Sequence, residues 1–117
     1  MTLKDCYFAL EGDYEEVVGR LYSEALVQKF AVKFLADKSF QLLNESLQAG
    51  SYEEAFRAAH TLKGVSQNLS FTKLYRSSHE ITEALRDKSY DKAAQLFAKV
   101  EADYLQTVAA IQAFQGT

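Results

Sequence analysis

From Tyr90 to Ile111 the chain keeps a seven-residue repeat: Tyr90, Ala93, Phe97, Val100, Tyr104, Thr107 or Val108, and Ile111. Steps of three and four put these residues on one side of an α-helix, whereas a strand would scatter them over both faces. A helix of that length hides its stripe only by packing on other helices. The rest of the chain supplies them. Ala25, Leu26, Phe30, Phe34 and Leu35, then Phe40, Leu43 and Leu47, make a second apolar run. Phe56, Ala59, Leu62, Ser66 and Leu69 make a third, and Leu74, Ser78, Ile81 and Leu85 a fourth. No proline occurs in the 117 residues, so nothing of that kind breaks a helix from within. The expected fold is all-α: an antiparallel up-and-down four-helix bundle with one or two short N-terminal helices packed against it.

Local signals set the boundaries. Residues 2–10 form a short helix on Leu3, Tyr7 and Leu10, with Gly12 as its stop. Asp13 caps a second helix that buries Val17, Val18 and Leu21, with Glu16 as the reciprocal capping partner. Ser23 opens the run to residue 49. Ala36-Asp37-Lys38-Ser39 interrupts it, with Ser39 as a cap, and both one bent helix and two helices satisfy the pattern. Gly50 ends that run, Ser51 and Glu54 form a Ser-x-x-Glu box for the next helix, and Ser89 caps the last. No repeat or linker divides the chain, so one domain is expected over 1–117, with the bundle core at about residues 23–114.

Composition excludes several classes. A hydrophobic content of 48% and a charged content of 25% suit a globular chain able to bury a modest core. Apolar runs are too short to span a membrane, and no signal-peptide segment opens the chain. The net charge of −3, without a basic stripe, argues against nucleic acid. One cysteine, Cys6, permits no internal disulfide and fits a reducing cytoplasm. There is no Gly-rich nucleotide loop and no supported Ser/His/Asp arrangement. A cytoplasmic location is expected.

The third run carries the chemistry. On a helical wheel His60 shares a polar line with Glu53, Arg57, Lys63, Gly64 and Gln67, away from the apolar stripe, so its imidazole faces solvent. Gly64 lies one turn on, in a helix interior where glycine costs about 1 kcal/mol relative to alanine. The missing side chain clears a path to the imidazole for a bulky partner. Lys63, at i+3, brings an ammonium close to whatever the imidazole carries. An unperturbed imidazole is mostly uncharged and nucleophilic at neutral pH. Each of these residues alone is an ordinary surface feature; together they suit a phosphoryl group.

With His60-Thr61-Leu62-Lys63-Gly64, Asn68-Leu69, Phe71 and Leu74 in place, the sequence resembles the histidine phosphotransfer (HPt) domains of two-component phosphorelays. The resemblance is dense over residues 56–86. It implies that His60 is the phosphoacceptor at Nε2, that Lys63 stabilises the phosphoryl group, and that Gly64 admits a receiver domain. It further implies a carrier without a kinase site or cofactor of its own, any Mg²⁺ coming with the partner. Its partners are a response-regulator receiver domain and a sensor histidine kinase, with no nucleic acid and no membrane. Docking is expected on the His60 helix and its neighbour, through Arg57, Thr61, Gln67, Asn68 and Arg76. Two positions depart from the family pattern. Ser70 stands where glycine is common, and Thr82 where Glu or Gln commonly faces the imidazole, which leaves Thr82, Glu83 or water to orient it.

Two rival readings use the same residues. A non-phosphorylated helical adaptor that docks receiver domains or another signalling partner keeps the bundle without needing His60. A metal or enzymatic centre on His60 and His79 lacks further ligands, and His79 sits beside the core position Ser78 as a structural residue. With no kinase domain in the sequence, a stand-alone relay protein is the simplest expectation.

Overall fold

The computed structural model describes residues 1–116. Helices α1 (Leu3–Leu10), α2 (Tyr14–Leu21) and α3 (Glu24–Lys33) lead into a single 3-10 turn at Phe34–Ala36. Helices α4 (Ser39–Gln48), α5 (Tyr52–Asn68), α6 (Thr72–Arg86) and α7 (Tyr90–Gln115) follow. No strand occurs among the described residues. The run over 23–49 is therefore two helices. The tighter turn between them brings Phe34 into the core, edge-on to Phe71 with ring centres 5.3 Å apart. Ser39 is the first residue of α4 and not its cap; its N–H donates to Asp37 Oδ1 at 2.8 Å.

Helices α4 to α7 make the bundle, each packed on its sequence neighbour and α4 closing back on α7. Phe40 of α4 stacks on Tyr104 of α7 at 4.1 Å. The starts of α5 and α7 meet in a Tyr52–Tyr90 stack at 3.8 Å. The seven-residue repeat of α7 behaves as its spacing predicts, with Ala93, Val100, Thr107 and Ile111 buried. At about 1.5 Å per residue, its 26 residues cover about 39 Å, which matches the molecule's longest extent of 40 Å. Asp103 is an unexpected core position on this helix: it is buried, and the Lys99 ammonium donates to its Oδ1 at 2.5 Å.

Three links, residues 49–51, 69–71 and 87–89, join the four helices in the same way. In each, the middle residue is left-handed: Gly50 at φ 70°, Ser70 at 55° and Lys88 at 58°. That residue's N–H reaches back to Leu47, Gln67 or Leu85, and the next N–H to Ser46, Ser66 or Ala84. This paired closure satisfies carbonyls a helix end leaves open. It also explains why the Ser51 box is not made. The Ser51 N–H is spent closing α4, and its hydroxyl makes no capping bond. Helix α1 ends likewise on Glu11 at φ 58°, one residue before the glycine that the sequence suggests as the stop.

Gly12 has a different task. A Cβ there would lie 2.6 Å from the Ser70 carbonyl oxygen and 2.7 Å from Leu10 Cδ1. The N-terminal segment presses on the α5–α6 link at this point. Tyr7, fully buried, donates its hydroxyl to the Leu69 carbonyl at 2.7 Å. Asp13 N–H donates to the Ser70 carbonyl at 2.9 Å, while the Asp13 carboxylate caps α2 by accepting from Glu16 N–H. Glu16 does not return that bond, because its carboxylate accepts from the Ser70 hydroxyl and from Arg20. Arg20 Nη1 donates to the Gln67 and Asn68 carbonyls and to Ser70 Oγ, at 3.1, 2.9 and 2.8 Å. Helix α2 thus clasps the C-terminal end of α5.

Candidate functional site

Helix α5 buries Ala55, Ala58, Ala59, Leu62 and Ser66 against its neighbours and leaves the opposite side open. Small residues on the buried side let α4 and α6 approach closely, so the polar line protrudes. His60 stands on that line, exposed, midway along the helix. Its ring lies nearly parallel to that of Phe56, one turn earlier, with centres 6.0 Å apart and 21° between planes. Lys63, half-buried, lies at i+3 and forms no ion pair among the described residues. Gly64 is exposed, and a Cβ added there would meet nothing within 4 Å. Packing therefore does not demand this glycine. The helix could carry a side chain at that position, and the reason for its absence lies outside the fold.

The residues expected around His60 divide among three grooves. Arg57 and Thr61 face α4, lining a groove with Ser39, Leu42 and Ser46. The Thr61 hydroxyl donates to the Arg57 carbonyl at 3.0 Å, so its proton is committed within the helix. Gly64 and Asn68 border a groove of about 480 Å³ whose far wall is Phe30, Lys33 and Phe34. That wall was missed by sequence reasoning, although the Phe30/Phe34 spacing is its signal. Gln67 and Arg76 share a groove with Arg20, Ser66 and Tyr75 on the α6 side.

The two candidates for orienting the imidazole are engaged elsewhere. Thr82 is fully buried and donates its hydroxyl to the Ser78 carbonyl at 2.6 Å. Glu83 accepts from Arg86 Nε at 3.1 Å. Neither hydrogen-bonds to His60. His79 is half-buried, stacked on Tyr75 with centres 6.0 Å apart, and its Nδ1 is buried without a partner. The described residues contain no group of three His, Cys, Asp or Glu side chains that could hold a metal ion. Nor do they contain a helix long and apolar enough to cross a membrane.

A model of the Hpt domain matches residues 33–114, more than half of the chain. The chain belongs to the Hpt domain family. Hpt domains are histidine phosphotransfer modules of phosphorelays, phosphocarriers rather than kinases, that work with receiver domains and kinases. No curated protein and no solved structure matches the chain.

The matched Hpt region begins at the end of α3, so it takes in the whole bundle and the His60 side of α5. The clasp by Tyr7, Gly12, Glu16 and Arg20 lies outside it. Within the Hpt bundle, Ser70 is the residue where family glycine is common, and its backbone is left-handed. A non-glycine residue there costs about 1–2 kcal/mol. In this Hpt chain the Ser70 hydroxyl offsets part of that cost by joining Glu16 to Arg20.

Proposed function

We propose that this Hpt domain carries a phosphoryl group on His60 Nε2, exchanging it with the aspartate of a response-regulator receiver domain and with a sensor histidine kinase. The observation that carries this reading is an exposed histidine, at mid-helix, beside a glycine that packing does not require. In transfer from a receiver, the Nε2 lone pair attacks phosphorus as the P–O bond to the aspartate breaks. The electron pair leaves with the carboxylate, and Nδ1 keeps its proton. Lys63 stabilises the negative charge on the phosphoryl oxygens after and during this step. Mg²⁺ and most of the remaining stabilisation belong to the partner. Gly64, Asn68, Gln67, Arg57, Thr61 and Arg76 border the docking face, in a cytoplasmic relay. The domain needs no nucleotide site, because the phosphoryl group arrives already activated.

The test is transfer of label from receiver domains loaded in Mg²⁺ to the wild-type protein and to His60→Gln. The expected product on the wild type is acid-labile and base-stable, as a phosphohistidine is, with no label on His60→Gln. Label that persists in His60→Gln sinks the assignment to this histidine. Absence of label on the wild type, from any receiver or from phosphoramidate, favours the adaptor reading.

A further inference from the structure

Phe56 takes no part in the reading above, yet it is the residue whose ring lies against the His60 imidazole. Its ring is also the seat of a cation: the Arg86 guanidinium carbon is 5.0 Å from the ring centre. Arg86 is tied in turn to Glu83, three residues earlier on α6. No described hydrogen bond reaches either imidazole nitrogen, and Thr82 is committed to its own helix. We propose that Phe56 is the positioning residue for His60, holding the imidazole in one rotamer by ring-to-ring contact, with Arg86 and Glu83 holding Phe56. This rests on the phosphocarrier reading of His60.

An exposed histidine on a helix is otherwise free to exchange among its side-chain rotamers, and a nucleophile that wanders is in line with phosphorus for only part of the time. Phe56 is half-buried and its backbone sits one turn from His60, the spacing at which two helical side chains meet. Ring pairs favour centre separations of 4.5–7 Å, and a guanidinium within about 6 Å of a ring is attracted to it. Both separations here satisfy those limits. Helix α6 thereby acts on the imidazole through an aromatic ring, where a direct hydrogen bond from residue 82 is precluded by burial.

Wild-type protein, Phe56→Leu, Phe56→Tyr and Arg86→Gln decide the matter by two readouts. Three-bond couplings about His60 χ1 report its rotamer, and labelling of His60 by phosphoramidate reports the nucleophile without a docking partner. The wild type and Phe56→Tyr are expected to show one rotamer. Phe56→Leu is expected to show averaged couplings and labelling slowed about three- to tenfold, and Arg86→Gln a smaller change. Should Phe56→Leu fail to fold, Phe56→Met serves in its place. A single rotamer in the leucine variant, whatever its labelling rate, overturns the proposal, and so does an averaged rotamer in the wild type. A wild type that takes no label overturns the phosphocarrier reading instead, and the couplings still decide the role of Phe56.

Discussion

Gly64 is a residue whose cost to the helix is not repaid by the helix. In a helix interior glycine is worth about 1 kcal/mol less than alanine, and the open space around Gly64 removes any packing motive for it. Gly64→Gln should therefore leave stability unchanged or raise it by up to about 1 kcal/mol, while transfer from a loaded receiver falls at least tenfold. Urea unfolding and transfer kinetics on the same preparation check this; undiminished transfer would refute the steric argument. His60, Lys63 and Gly64 were legible because one helical period fixes which residues share a face. The surroundings of the imidazole were not. Thr82 and Glu83 are near His60 in the sequence logic of adjacent helices. Which way each faces depends on the rotation of α6, and that is set by burial of Leu74, Ile81 and Leu85. Phe56 reads on a helical wheel as a core residue, and only the packed bundle leaves its ring half-exposed beside His60.

At the scale of elements, the three left-handed links are chemically unequal. Gly50 fits its conformation at no steric cost, Ser70 is held by Glu16 and Arg20, and Lys88 is exposed, its side chain making no hydrogen bond among the described residues. Lys88→Gly should stabilise the domain by roughly 1 kcal/mol, because the left-handed strain is relieved and nothing is lost. Ser70→Gly relieves the same strain but removes the hydroxyl that joins Glu16 to Arg20, so it should gain less or lose. Unfolding midpoints of the two variants make the comparison, and equal gains would mean that the Ser70 hydroxyl contributes nothing. Helices α4 to α7 were readable from their apolar spacing, and Gly50 from its residue type; the buried face of α3 was not, since Val27 and Ala31 are buried there while Ala25 and Leu26 are exposed. Ser51 and Ser89 mark the right positions for the wrong reason. Their N–H groups close the preceding helix, a task any residue but proline performs, and their hydroxyls make no cap. The separation of α3 from α4 was undecidable from periodicity, because both solutions bury Leu43, and only the fit of Phe34 against Phe71 selects one.

At the scale of the whole molecule, the antiparallel bundle follows from amphipathic runs joined by links too short for any other connection. The attachment of α1 and α2 does not follow from such patterns, since it depends on contacts between residues about 50–60 positions apart. Two of those contacts, Ser70 to Glu16 and Lys73 to Glu11, rest on carboxylates, and this makes the attachment sensitive to acid. The Ser70 hydroxyl, then Arg20, hold Glu16 below its ordinary pKa of 4.5; Gln106, then Lys73, do the same for Glu11. A carboxylate depressed in the folded state contributes stability above its ordinary value, and that contribution is lost as pH falls through the folded value. Stability should thus decline from about pH 5 downward, and less steeply in Glu16→Gln. A reporter is already in place. Cys6 lies buried between α1 and α7, its thiol 3.6 Å from the Ala110 carbonyl and pushed up to about 11 by burial. An acid-competent disulfide reagent should find Cys6 at a higher pH than that at which the helical signal collapses; coincident transitions would show the N-terminal helices and the bundle to be one cooperative unit. The face that presents His60 would then outlast the segment that braces it, and acidification would divide this small protein into a carrier and its support.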